Sequence, residues 1–182
     1  MGWQRKDGNG NAHGSWSVLA GGRGMTGLPP EFAQAEAYWH ALRDGAALPA
    51  RSAIAPRALA PLLDRVMILE RLAPGVARVR MAGSGLHDLM GMDLRGMPLT
   101  ALIEPPSRAT VASAVDRVFT MPAIADLTLE AERGAGRPAL SARLMLLPLT
   151  GPSGAADRAL GVMVCAGTIG RAPRRFALAK AA

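Results

Sequence analysis

Val66-Met-Ile-Leu-Glu-Arg-Leu-Ala-Pro-Gly-Val-Ala-Arg-Val-Arg-Met-Ala82 carries the reading of the fold. Val66 to Glu70 is an apolar run of strand length, the pattern of a strand buried on both faces. From Val76 to Ala82 apolar and basic residues alternate, which sets Val79 and Met81 on one face and Arg78 and Arg80 on the other. Ala73-Pro-Gly75 between the two runs is a turn, so the pair predicts a hairpin.

Downstream, the character changes. Gly83, Gly85, Gly91 and Gly96 punctuate the apolar pieces Leu86, Leu89-Met90, Leu94 and Leu99 to Ile103, which fit short helical turns better than strands. Pro105-Pro106 then precedes a helix over Ser107 to Met121, with Val111, Val115 and Val118 on its inner face. Three strands follow. Asp126 to Glu132 points Leu127, Leu129 and Ala131 inward, Ala139 to Leu149 follows the turn Gly134-Ala-Gly136, and Ala159 to Ile169 follows the loop Thr150 to Gly154. Upstream, Pro29-Pro30 opens a helix in which Glu31 favours the dipole and Phe32, Ala35, Trp39 and Leu42 share one face. Gly45 ends it, Leu48-Pro-Ala-Arg51 is an extended connector, and Pro56 starts a short helix to Leu63. Helices do not alternate with strands, so the order predicts an α+β fold: a five-stranded antiparallel sheet with short helices on one face and an N-terminal amphipathic helix.

Residues 1–28 are rich in Gly, Asn and Ser without periodicity and read as a flexible arm, with Met25 an alternative start. Residues 29–170 form the domain, and 171–182 read as a basic tail. The net charge of +7 invites a nucleic-acid reading, but its distribution opposes one. Residues 1–30 contribute +2, residues 171–182 contribute +4, and residues 31–170, with fourteen basic and thirteen acidic side chains, only +1. No nucleic-acid partner is expected. The single cysteine, Cys165, excludes an internal disulfide and reads as a small core residue; no zinc-ligand spacing exists, so no metal site is expected. No apolar run approaches the roughly 20 residues of a membrane helix, and a cytoplasmic protein is expected.

No catalytic set emerges. Ser84, His87 and Asp88 stand too close in sequence for a nucleophile triad, and Ser84 serves more simply as a helix cap. Gly91-Met-Asp-Leu-Arg-Gly96 lacks the spacing of a phosphate loop and reads as a turn in which Gly96 takes a positive φ. Arg51 and Arg80 each admit two uses, a guanidinium holding an acidic ligand or one tying the connector to the core. Tyr38-Trp39-x-x-Leu42-Arg43 likewise serves either packing or a partner surface.

Five strands around a helical middle resemble the PAS domain, and more specifically the single-domain PAS-like family common in alphaproteobacteria. The matching residues are Tyr38-Trp39, Leu42-Arg43, Gly45, Leu48-Pro49, Arg51, Ile54, Pro56, Leu59 and Leu62-Leu63, then Arg80-Met-Ala-Gly83, Gly91 to Gly96 and Leu147-Pro-Leu149. The resemblance runs from Phe32 to Ile169 and implies a stand-alone sensory or protein-interaction module, not an enzyme. It implies a small apolar ligand pocket near Arg80, Gly83, Leu86, Met90, Met92 and Leu94. It implies a homodimer or effector interface on Phe32, Tyr38, Trp39, Leu42 and Arg43, and structural roles for Pro49, Arg51 and Pro56. No haem or flavin signature is present, and no cofactor is assigned. The rival readings are a small enzyme built on the insert around His87 and a ligand-free docking protein.

Overall fold

In a computed structural model, residues 28–179 are described, together with the backbone of residues 15–18. The remaining N-terminal positions, Met25 among them, lie outside the described residues. The strands are β1 (Ser15–Val18), β2 (Val66–Ala73), β3 (Val76–Ala82), β4 (Ile124–Ala131), β5 (Leu140–Leu149), β6 (Arg158–Gly167) and β7 (Phe176–Leu178). The α-helices are α1 (Pro30–Ala41), α2 (Ser84–Met90) and α3 (Arg108–Thr120), joined by 3-10 turns at Arg51–Ala53, Pro56–Leu62, Leu99–Leu102 and Pro105–Ser107. The five expected strands form an antiparallel sheet in the order β4-β5-β6-β2-β3. Two short strands that the sequence reading did not anticipate share the outer edge of β4. β1 pairs parallel with Ile124–Leu127, and β7 pairs antiparallel with Leu129–Ala131.

The middle of the sheet dictates the layering. Nine of the ten residues of β5 are buried, and both its faces are apolar. A strand of that kind needs cover on both sides. On the inner face Leu144, Leu146, Leu127, Leu129, Val79 and Met163 pack against α2, the Leu99–Leu102 turn and α3. On the outer face Met145, Leu147, Leu149, Leu160 and Val162 pack against Phe32, Ala35 and Trp39 of α1 and Leu59 and Leu62 of the following turn. The short helices of the insert and α3 therefore cover the inner face, and the N-terminal helix with the turn after it covers the outer one. Beneath Phe32, Arg143 of β5 forms a bidentate ion pair with Asp126 of β4, its guanidinium 5.5 Å from the Phe32 ring. The Arg65–Glu31 ion pair ties the first turn of α1 to the start of β2.

The hairpin differs from the alternation in one respect. Leu69 pairs with Val79 but Ile68 pairs with Met81, so Arg80 is an extra, bulged residue. The bulge separates Val79 and Met81. Val79 joins the inner core, whereas Met81 packs with the outer cluster. Asp116 of α3 reaches the hairpin, accepting from Arg71 at 2.8 Å and from the Gly75 amide at 3.2 Å.

The C-terminal segment is not a solvated tail. Phe176 is fully buried in the inner core, the Glu104 amide donates to Phe176 O, and the Leu178 amide donates to Ser107 Oγ. Arg174 is 1% exposed. Its guanidinium donates to the carbonyls of Glu132 (3.0 Å), Pro138 (2.8 Å), Thr168 (3.4 Å) and Ile169, and its amide donates to Leu89 O at 2.7 Å. One side chain thus joins the ends of β4, β5 and β6, and its backbone adds α2. Cys165 is exposed near the end of β6 instead of lying in the core. Replacing Arg174 with Met removes the donors and leaves four acceptors in a dry site. Urea denaturation of Arg174→Met is expected to show a loss on the order of 3 kcal/mol; an unchanged midpoint would mean that the segment is not clamped.

Candidate functional site

The helical insert on the inner face begins where β3 ends. Gly83 starts it because a Cβ there would lie 2.0 Å from Leu63 O, so only glycine lets α2 pass the Leu63–Asp64 backbone. Gly83, not Ser84, occupies the position before the first turn, and no side chain caps it. Gly91 closes α2 in the left-handed conformation, φ +67°. His87 holds the turn that follows. Its Nδ1 accepts from the Leu94 amide at 3.1 Å and its Nε2 donates to Ala82 O at 3.1 Å, which sets the Nε2–H tautomer. Both ring nitrogens are spent on backbone. Asp93 accepts from Arg95, whose hydrogen bond holds its carboxyl below the ordinary value, and its Oδ1 also lies 3.6 Å from His87 Nδ1.

The six residues expected at a pocket do not converge. Leu86, Leu94 and most of Met90 are core, 1%, 1% and 5% exposed, against Leu99, Leu102 and the α3 valines. Gly83 is a packing contact. Arg80 belongs elsewhere: the bulge directs it toward Glu70 (3.5 Å) among the outer-face charges. Met92 is 49% exposed, and with Met90 it lines a surface groove.

That groove has a volume of about 330 Å³. Met90 at the end of α2 and Met92 after it, Met97, Pro98, Thr100 and Ala101 beside the edge of β3, Arg108 at the start of α3, and Pro173 and Arg175 before β7 line it. The stretch 96–98 is fixed against β3, where the Val79 amide donates to Met97 O and the Gly96 amide to Val79 O, both at 2.8 Å. A neighbouring groove of about 280 Å³ shares Pro173 and Arg175 and adds Glu104, Glu132 and Arg137. Sequence reasoning missed Met97, Arg108, Pro173 and Arg175 as site residues. The available signal was Phe176-x-Leu178, an apolar alternation inside a stretch otherwise read from its charge.

The residues expected at an interface all make contacts within the domain, with Tyr38, Leu42 and Arg43 half-buried. Phe32 and Trp39 are 0% and 3% exposed in the outer core, and Trp39 Nε1 donates to Pro148 O of β5 at 2.8 Å. Tyr38 Oη accepts from the Ala55 amide at 2.8 Å, Leu42 packs against the same core, and Arg43 lies 4.9 Å over the Trp39 ring while donating to Ala46 O and Ala47 O. The apolar face of α1 found its partner in the sheet of its own chain. Pro49 is buried, the Thr150 amide donates to Pro49 O and the Arg51 amide to Thr150 O, so the connector runs parallel to the end of β5. Pro56 opens the turn that carries Leu59 and Leu62 into the outer core.

Glu70 gathers the outer-face charges: Arg78 at 2.7 Å, Arg158 at 2.8 Å and Arg80 at 3.5 Å. The Arg78 hydrogen bond, with help from the Arg158 and Arg80 charges, holds its carboxyl below the ordinary glutamate value. The unfolded chain therefore takes up this proton more readily than the folded one, and the stabilisation present above pH 4.5 is lost as pH falls through the folded value. Glu70→Gln is expected to be less stable than the parent near neutral pH, with the gap narrowing at an acid pH well below 4.5. Thermal melts at both pH values check this, and a gap that widens in acid would contradict it.

Among the described residues no three His, Cys, Asp or Glu side chains are grouped to hold a metal ion, and no helix is long and apolar enough to cross a membrane. No curated protein matches the sequence. Solved structures similar to this chain include a light-oxygen-voltage domain studied with a flavin analogue (18% identity over 61% of this chain and 83% of that one, TM-score 0.48). They also include the blue-light photoreceptor Aureochrome1 LOV in its light state (17% identity, 61% and 88%, TM-score 0.45) and a fungal LOV domain photoreceptor (17% identity, 72% and 90%, TM-score 0.45). A family model described as PAS domain matches residues 29–164, a span that holds α1, the insert, α3, four of the five long strands and most of β6. The chain belongs to the PAS domain family.

Proposed function

We propose that this PAS domain is a cytoplasmic sensory module that takes a small, largely apolar ligand at the helical insert and passes the signal to a second copy or a separate effector protein. The observation that carries the reading is the groove bounded by Met90, Met92 and Met97 on one side and by Pro173 and Arg175 on the other. An occupant there touches the insert and the C-terminal segment together, and that segment continues directly into β7 on the sheet edge. Ligand binding can then shift how firmly β7 and the insert hold one another, which is a population shift readable by a partner. Methionine suits such a surface because its unbranched thioether adapts to different apolar shapes.

The engagement of both His87 ring nitrogens by backbone groups favours this reading over a catalytic one centred on that residue. The single unbridged thiol of Cys165 is consistent with a reducing compartment. Native mass spectrometry of freshly purified protein tests the proposal. A small molecule that co-purifies, and whose removal lowers the melting temperature, is the expected result. Uniformly ligand-free protein that instead captures a macromolecular partner unaided would replace the sensor with a docking protein.

A further inference from the structure

We infer that the groove selects an amphipathic carboxylate, with an apolar tail on the methionine floor and its anionic group met by Arg108 and Arg175. The inference rests on the sensory reading and names the ligand class for that site. Three observations support it. The groove holds about 330 Å³, at the small end of ligand sites, which run roughly 300–1,000 Å³. Its floor and walls are Met90, Met92, Met97, Pro98 and Ala101, which offer no charge to a ligand. Its two charged residues are both arginines, and among the described residues neither guanidinium has a carboxylate within ion-pair distance.

Arg108 is held in place by its Nε, which donates to Ile103 O at 3.0 Å, so its terminal nitrogens remain for a ligand. Arg175 is exposed although its neighbour Arg174 is buried, and it lines both grooves. A guanidinium recognises carboxylate oxygens with paired, charge-assisted hydrogen bonds, and an adjacent apolar floor adds selectivity for a tail. Glu104 and Glu132 border the neighbouring groove and disfavour extension of the anion in that direction; Glu132 is drawn toward Arg137 at 3.5 Å. Pro173 and Arg175 lie beyond the residues matched by the family model, so the specificity belongs to this chain's C-terminal segment.

The test uses the full chain with methyl-labelled methionine and three probes of equal tail length: octanoate, octan-1-ol and octylammonium. Saturable shifts of the Met90, Met92 and Met97 methyl signals with octanoate are expected. Octan-1-ol should bind about tenfold or more weakly, since it lacks charge-assisted hydrogen bonds. Arg175→Gln, at an exposed position, should weaken octanoate by a similar factor and leave octan-1-ol unchanged. Equal binding of the alcohol, preference for octylammonium, or an unaltered octanoate affinity in Arg175→Gln would overturn the inference. Shifts confined to the buried Met67 and Met163 would also overturn it, while leaving a ligand-binding sensor standing with its site inside the core. Silence of all methionine signals, together with ligand-free protein by mass spectrometry, would end both readings.

Discussion

β5 is apolar on both faces, and that constraint organises the rest of the molecule. Met145, Leu147 and Leu149 look one way and Leu144 and Leu146 the other, and all are 2% exposed or less. Leaving either set in water would forfeit roughly 1.5–3 kcal/mol per side chain, more than a domain of ordinary stability can spare. The insert and α3 meet one face, α1 and the Pro56–Leu62 turn the other. The buried Arg143–Asp126 pair fits within this sandwich because its two members are bidentate partners and Phe32 closes over them. Such a pair contributes little net stability, but losing one member would strand a charge in the core.

The groove follows from how the inner cover is closed. α2 and the 3-10 turns are short, and they leave the end of the sheet to residues 173–179. Arg174 closes that end with backbone carbonyls alone, where a carboxylate partner would be the commoner solution. The arrangement puts the hydrophobic anchor Phe176 beneath Ile103 and Glu104 and leaves Pro173 and Arg175 on the surface facing the methionines. Core, clamp and groove therefore share one short stretch of chain. A change in one is felt by the others without any long pathway.

Much of this was legible in the sequence. The five strands declared themselves because β2 and β5 contain continuous apolar runs, Val66 to Leu69 and Leu144 to Leu149, and β4 alternates strictly, and Ala73-Pro-Gly75 marks its hairpin without ambiguity. Other features were hidden for physical reasons. An amphipathic face states that a helix needs an apolar partner but not which one, so Phe32 and Trp39 read equally as an interface and as core. The bulge at Arg80 follows from the pairing of β2 with β3, and a period-2 pattern read on one strand cannot contain it. Arg174 was masked by composition: four basic residues in the last twelve suggest solvated tail, and only the alternation Phe176-x-Leu178 spoke against that. The candidate site was half legible, since Met90 and Met92 lie in the punctuated insert while Arg108, Pro173 and Arg175 are brought to it by tertiary structure.

The claim that two-sided burial governs the fold is tested most directly by removing residues 1–42, which hold α1, and following urea unfolding with tryptophan-independent circular dichroism. The outer face of β5 and β6 would then lie open, so the shortened chain should lose its cooperative transition and bind a dye that reports exposed apolar surface. A shortened chain that unfolds cooperatively at the parent's midpoint, without dye binding, would contradict the account and make α1 a dispensable appendage.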